Sequence, residues 1–318
     1  MLEISEIITD VITLGRNYTV RDGFVFSALG DASNVFDAIV IQTDYCAHNR
    51  YPFSARSLKE HIKLVNDNRI EKAIVYTSSL AFLRECLSLR EVSIHPIVYA
   101  HETCFDFSPL YSIPWLTKLC CHTEVNGVLI GDVDYAQMPQ LKKISVSGKG
   151  HKNYSTLHSL ESLTIFRDDQ NLDLSFLQEM HQLKAISIGS CKVMSLRGVE
   201  GLKELRSLVL ENNQRLSDIS ALANCAEQLD TLCITNCSRI KDFTVLEELI
   251  HLKRLILKGS NSTPTIGFLT KCKELQHLVV RIKVLDGDMS PCLAIAHAVC
   301  DNHRHYNLRN IDLPKCTK

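Results

Sequence analysis

The chain has 318 residues and a formal net charge of −1, with 45% apolar and 22% charged residues. This balance is ordinary for a folded protein, and a charge near zero gives no general reason to expect a nucleic acid or a membrane surface as partner. No apolar run of about 18 residues or more is present, so the sequence predicts no transmembrane helix. The first residues, which include Glu3 and Glu6, do not resemble a secretion signal, and we predict a cytoplasmic protein.

Residues 1–35 carry no internal repeat. Apolar residues between positions 2 and 12 recur at helical spacing and predict a short amphipathic helix. Next, apolar residues alternate from Tyr18 to Phe26 around Gly23, which predicts a β-hairpin. A stack of repeats exposes an apolar edge at its first unit, so we interpret residues 1–35 as an N-terminal cap.

Residues 36–88 contain two strand-like apolar triplets separated by a helix. The spacing of Leu58, Ile62 and Val65 places one apolar face on a helix predicted over residues 54–68, which Ser54 or Ser57 would cap. We interpret this region as degenerate repeats. Its two triplets are Phe36, Ile39, Ile41 and Ile70, Ala73, Val75.

A regular apolar pattern occupies residues 89–286. Each unit has a triplet spaced as L-x-x-L-x-L, and successive triplets begin roughly 19 to 27 residues apart. An apolar residue nearly always lies three positions before each triplet and would close the preceding helical turn. The triplets begin at Leu89, Leu116, Leu141, Leu160, Leu183, Leu205, Leu229, Leu252 and Leu275.

The unit Leu202–Leu222 shows the pattern most completely. Leu208 and Leu210 alternate as on a strand, whereas Leu216 and Ile219 begin a three-residue spacing typical of a tight helical turn. This unit resembles the leucine-rich repeat superfamily, especially its internalin-like and phosphatase-regulator-like members. The resemblance implies an α/β leucine-rich repeat solenoid: a curved right-handed horseshoe with a parallel sheet on the concave face, short helices or 3-10 turns on the convex face, and caps at both ends.

Residues 287–318 depart from the repeat, and we interpret them as a C-terminal cap. Ser290 and Pro291 form a helix-start signal, and apolar residues at helical spacing predict a helix that continues to Cys300. Alternating apolar residues from Leu308 to Leu313 predict a last strand.

The 13 cysteines are scattered over predicted core positions, which favours reduced thiols over a disulfide framework. In the superfamily that the chain resembles, the ninth position of each repeat faces inward and its polar side chain bonds to loop backbone. This implies a ladder of such residues in the middle repeats. The residues at that position are Cys191, Asn213, Cys237 and Ser260.

Two clusters have the residue types of an enzymatic site. His122 follows two cysteines, Cys120 and Cys121, which is the combination of a thiol nucleophile and its base, but Cys121 occupies a core position of its repeat. A second cluster near the C-terminus has zinc-binding residue types without the spacing of a standard site. We therefore predict no catalytic residue, metal or cofactor. The C-terminal cluster is Cys292, Cys300, His303, His305 and Cys316.

Side chains between the leucines of each strand should line the concave face, since alternate strand residues point to opposite sides of a sheet. The middle repeats present mostly small residues there, and the last regular repeats present cations around apolar side chains. Such a mixture is typical of a protein-binding surface. The predicted partner-binding residues are Phe166, Val209, Glu211, Arg254, Ile256, Lys258, His277, Val279 and Arg281.

The sequence thus predicts a non-enzymatic protein-binding scaffold that acts as an inhibitor, an immunity-type protein or a regulatory subunit of an enzyme. The cations predict a protein partner with an acidic patch. The strands lack interleaved aromatic residues for base stacking, so nucleic acid is not the predicted partner, and neither is a membrane. The alternative function is a zinc- or thiol-dependent enzyme that uses the C-terminal Cys/His cluster.

Overall fold

The computed structural model describes residues 18–27, 38–43, 52–99, 104–125, 127–168 and 171–315. The chain forms two compact units, Met1–Thr164 and Ile165–Lys318, and the division falls within a strand. The predicted amphipathic helix at residues 2–12 lies outside the described residues, as do Phe36 and Cys316. Among the residues that are described, no helix is long and apolar enough to cross a membrane.

The first unit begins with the predicted hairpin. Strands β1 (Tyr18–Arg21) and β2 (Phe24–Ser27) pair antiparallel. The two turn residues, Asp22 and Gly23, both have positive φ, at 51° and 83°, as a two-residue type I′ turn requires. Strand β3 (Ala38–Gln42) pairs antiparallel with β2 and begins the parallel part of the sheet.

The predicted helix of the degenerate region is α1 (Leu58–Asp67). It begins four residues later than the sequence indicates because Ser57, not Ser54, is its cap. The Ser57 hydroxyl accepts a hydrogen bond from the Glu60 backbone N–H at 3.3 Å, and the Glu60 carboxylate accepts one from the Ser57 N–H at 2.7 Å. This reciprocal capping box satisfies two backbone donors at the start of the helix.

The remaining strands of the first unit follow the predicted repeat. The larger sheet has the order β1-β2-β3-β4-β5-β6-β10 and is parallel from β3 onward. Among the short strands, β7 pairs with β8, and β9 pairs with β11. The strands are β4 (Lys72–Thr77), β5 (Glu91–Pro96), β6 (Lys118–His122), β7 (Glu124–Val125), β8 (Val128–Leu129), β9 (Val133–Asp134), β10 (Lys143–Ser147) and β11 (His151–Lys152).

The second unit begins within strand β12 (Ser162–Phe166). Its parallel sheet has the order β13 to β18 without a crossover, so each repeat adds one strand beside the last. Short 3-10 helices connect the strands. The strands are β13 (Ala185–Gly189), β14 (Ser207–Glu211), β15 (Thr231–Thr235), β16 (Arg254–Thr263), β17 (His277–Val284) and β18 (His297–Cys300).

The predicted leucine positions form the core of the repeats. Leu208, Leu210, Leu232 and Leu255 are each 0% exposed, and the residues between them lie on the other face of the sheet. Each repeat contributes about three such side chains, so burial of apolar surface grows with each strand that is added. The predicted spine of leucines is confirmed in both units.

Residues that precede the 3-10 helices repeat a motif that the sequence analysis missed. An Asp is followed by a buried apolar residue and then by Ser or Thr, whose backbone N–H and hydroxyl both donate to the Asp carboxylate. The carboxylate thus satisfies a donor at the helix start. The motif occurs at Asp173–Ser175, Asp218–Ser220 and Asp242–Thr244.

The predicted C-terminal helix is wrong. A 3-10 helix spans Ser290–Ala294, the chain then extends at Ile295, and β18 pairs in parallel with β17. Ala298 and Cys300 are buried, whereas His297 and Val299, which alternate with them, are half-buried, so this segment has a period of two. The predicted strand after Leu308 is also wrong, because residues 310–312 form a 3-10 turn.

The polar ladder is present in part. The Cys191 backbone N–H donates to Asn213 Oδ1 at 2.9 Å, and Asn213 Nδ2 donates to the Ile188 carbonyl at 2.8 Å. The prediction for Ser260 is wrong. Gly259, at φ 140°, accompanies a register shift in β16 that moves the inward position to Asn261, whose Nδ2 donates to the Cys237 carbonyl at 2.7 Å.

Candidate functional site

The candidate site lies on the open face of the second unit, which we define as the sheet face opposite the leucine core. Because the parallel strands pair without offset, residues of equal rank form straight rows across the sheet. The central row is apolar: Cys233 pairs with Ile256, Ile256 with Val279, and Val279 with Val299. We call these four residues the apolar row. Ile256, Val279 and Val299 are half-buried and present surface, whereas Cys233 is 3% exposed.

Two rows of polar residues flank the apolar row. On one side Arg254, His277 and His297 pair in register, and the two imidazole centroids lie 5.9 Å apart. On the other side Lys258 pairs with Arg281, and both are exposed. Neighbouring strands lie about 4.8 Å apart, so these cations stand close together on both sides of the apolar residues.

Asp301 partly offsets the positive charge of this surface. The Arg281 guanidinium lies 3.8 Å from a carboxylate oxygen of Asp301, and both side chains are about half exposed. A pair in such a solvated setting contributes little to stability, so an incoming carboxylate can replace Asp301 at small cost. The surface therefore remains suited to an anionic group.

The structure separates the other predicted site residues from this surface. Glu211 lies in register with Thr235, which in turn is in register with Lys258, so Glu211 stands two strands from the cations. Phe166 is half-buried in the first strand of the unit. The guanidinium carbon of Arg167 lies 5.3 Å from the centroid of the Phe166 ring.

Val209, which the sequence predicts as a partner-binding residue, presents almost no surface. Its side chain is 2% exposed, between the in-register residues Ser187 and Cys233. A central row in the middle of a sheet is covered from both sides by its neighbours, which alternation along one strand does not reveal. Phe166 and Glu211 stay predictions, as do the six residues on β16 and β17.

His297 and Val299 were missed because the sequence analysis assigned their segment to a helix. They extend the flanking row and the apolar row by one strand. The available signal was side-chain size, which alternates between larger and smaller over His297, Ala298, Val299 and Cys300. Over so short a stretch this pattern fits a strand as well as a helix.

The open face of the first unit carries a different arrangement. Tyr76 stacks on His95 with ring centroids 4.6 Å apart, and His95 lies 4.9 Å from His122. Burial lowers the pKa of His122, because desolvation disfavours the charged imidazolium. Lys118 and Glu91 form an ion pair at 3.7 Å on the same face.

The thiols of the enzymatic alternative that the structure describes at core positions are buried. Cys292 and Cys300 are buried, and burial raises the pKa of Cys292 to about 12. Burial also raises the pKa of Cys121 to about 12, and a thiol protonated at neutral pH is a poor nucleophile. His303 and His305 pack against the Tyr306 ring, and Cys316 lies outside the described residues.

Within the residues that the structure describes, no three His, Cys, Asp or Glu side chains are grouped as ligands for a metal. His305 is engaged instead with the backbone: its Nε2 lies 2.9 Å from the Val284 carbonyl oxygen. His305 thus connects the last loop to the end of β17.

Among solved structures, an internalin (InlF) from Listeria monocytogenes aligns at 19% identity with a TM-score of 0.53, over 74% of this chain and 69% of its own. The functional domain of InlJ from the same organism aligns at 17% identity and a TM-score of 0.45, over 70% of this chain and half of its own. A leucine-rich repeat protein from Leptospira interrogans aligns at 13% identity and a TM-score of 0.47, over 80% and 60%.

No family model and no curated protein matches the sequence. The alignment with InlF, the parallel strands and the buried leucine spine together establish the leucine-rich repeat fold. At this level of identity the likeness concerns the fold alone.

Proposed function

We propose that this protein is a non-enzymatic protein-binding scaffold that holds its partner on the open face of the second unit, at β15 to β18. The observation that carries the proposal is the in-register set of Ile256, Val279 and Val299, which are half-buried and lie between a polar row that contains Arg254 and a row that contains Lys258 and Arg281. Apolar contact area surrounded by charged groups is the composition of a binding surface.

The chemistry of the flanking rows favours an acidic partner. Arg254, Lys258 and Arg281 would steer an acidic surface during encounter, and the apolar row would then exclude water from the contact. The strands are held by a core of leucines that is ordered before binding, so the surface pays little conformational entropy on association.

We further propose that the partner is an enzyme, which the scaffold inhibits or regulates in the cytoplasm. Nine of the 11 described cysteines are buried, which suits reduced thiols and a reducing compartment. A rigid sheet of this kind covers a partner's surface without rearrangement. Activity of a captured enzyme, measured with and without the scaffold, separates inhibition from activation and from passive holding.

The test compares four forms of the full chain in quantitative affinity capture from extracts of the source organism: the wild type, two charge variants and one apolar-row variant. The surface variant is Lys258→Glu with Arg281→Glu, which reverses two exposed cations of one row. The control variant is Lys253→Glu with Lys273→Glu, which makes the same change of charge at exposed positions outside the strands.

We expect proteins captured by the wild type and the control to be lost from the surface variant. A second variant, Val279→Ser, tests the apolar row without a change of charge and should weaken the same captures. Capture that is equal for all four forms would remove the function from this surface. Circular dichroism and thermal unfolding establish that each variant is folded.

A further inference from the structure

The rows of the proposed surface run across the strands, and this direction restricts what can lie on them. Ile256, Val279 and Val299, on β16 to β18, are the members of the apolar row that present surface. Two intervals of about 4.8 Å separate the first from the last, so the accessible part of the row is about 10 Å long. An occupant that uses all three residues must therefore present apolar groups at about this interval along its own axis.

We propose that the occupant is an acidic amphipathic α-helix of the partner, lying across the strands; this rests on the proposed function. A helix presents one apolar side chain per turn, every 5.4 Å, so two turns span about 11 Å. An extended strand presents same-face side chains about 6.7 Å apart and spans about 13 Å over two intervals. The helix departs from the row by about 1 Å in total, whereas the strand departs by about 4 Å.

The width of the surface fits the same occupant. The flanking rows lie two residues from the apolar row along each strand, or about 6.7 Å away. A helix with side chains is about 10 to 12 Å in diameter, so residues beside its apolar stripe reach both rows. Asp or Glu at those positions would meet Arg254 on one side and Lys258 and Arg281 on the other.

The length of helix that the surface favours is limited. The row of Lys258 and Arg281 continues to Glu211, which lies two strands before Lys258 and would repel an acidic helix that extended past β15. At the other end, Asp301 already contacts Arg281. The favourable length is therefore about three helical turns, or ten to twelve residues.

The experiment presents the immobilised full chain with a displayed library of random 18-residue peptides, with counter-selection on Lys258→Glu/Arg281→Glu. We expect enriched peptides to carry apolar residues at i, i+3 or i+4, and i+7, flanked by Asp or Glu. Synthetic copies should bind at least tenfold more weakly, by fluorescence anisotropy, to the surface variant than to the wild type or to Lys253→Glu/Lys273→Glu.

Helical conformation is tested with proline. A proline in the middle of an enriched peptide should weaken binding at least tenfold because it interrupts the helix, whereas a proline at its first helical position should leave binding unchanged. Enriched peptides with apolar residues at every second position, or with tolerance of the central proline, would overturn the helix and leave the binding surface standing.

Failure to enrich any peptide that depends on Lys258 and Arg281 also counts against the acidic helix. The capture experiment with the same variants then decides whether the surface itself binds a partner. Enrichment of basic peptides would contradict the charge assignment and with it this proposal.

Discussion

Asn213 bridges two strands from the inside of the second unit: its Oδ1 accepts a hydrogen bond from the Cys191 N–H at 2.9 Å, while its Nδ2 donates to the Ile188 carbonyl at 2.8 Å. Asn213 is 0% exposed. One amide therefore satisfies a donor and an acceptor of backbone that water does not reach.

We expect Asn213→Ala to destabilise the protein by about 1 to 3 kcal/mol, because the substitution leaves these two backbone groups unpaired. Urea unfolding followed by circular dichroism measures the loss. Asn224→Ala, at an exposed position, is the control and should lie within about 0.5 kcal/mol of the wild type. Equal stability of the two variants would mean that the ladder contributes nothing.

The leucine spine makes a second prediction. Leu255 is 0% exposed, so Leu255→Ala should cost about 2 to 5 kcal/mol through lost burial and the cavity left behind. Leu293→Ala removes the same atoms at a site that is 51% exposed and should cost much less. Similar urea midpoints for the two variants would contradict the stacked core. Neither result bears on partner binding.

The Asp caps predict sensitivity to acid. Hydrogen bonds from the Ser220 hydroxyl and N–H, and from the Ser195 hydroxyl at 2.7 Å, lower the pKa of Asp218 below its usual 3.8. A lowered folded-state pKa means that this carboxylate stabilises the fold above about pH 4 and loses that contribution as the pH falls further. Asp173 and Asp242 share the same direction of pKa shift and the same cause.

Asp218→Asn should therefore reduce stability at pH 7 and flatten its decline between pH 5 and pH 3. Urea midpoints measured across this range for both proteins test the expectation. The control is Asp67→Asn, at an exposed residue that ends α1. A decline in Asp218→Asn as steep as in the wild type would show that other groups govern the acid response.

Thiol accessibility provides a fourth prediction. Cys104 is exposed, whereas Cys86 is buried and burial raises its pKa to about 12. At pH 8, iodoacetamide should modify Cys104 in the folded protein within minutes and reach Cys86, Cys121 and Cys292 only after denaturation. Peptide mapping by mass spectrometry reads out each site. Rapid native modification of Cys300 would revive the thiol-enzyme alternative.

The leucine pattern determined most of the fold from sequence. Side chains such as Leu208 and Leu210 repeat at a spacing that buries them only if strands stack in parallel, so strand positions followed from local periodicity and burial. The capping box of Ser57 and Glu60 was likewise predictable, because it depends on only four consecutive residues.

Features that depend on contacts between repeats were decided by the tertiary structure. The sequence around His297 is compatible with a helix or a strand over so few residues, and pairing with β17 selects the strand. The burial of Val209 depends on its neighbours in β13 and β15, and the inward position of Asn261 depends on the backbone path at Gly259.

The sequence by itself thus determined which leucines of the regular repeats face the core, because that choice rests on spacing along one strand. Only the tertiary structure decided which residues stand side by side across the parallel strands, because register joins positions about 20 residues apart or more. The row of Ile256, Val279 and Val299 belongs to this second kind of information, since no single repeat contains it.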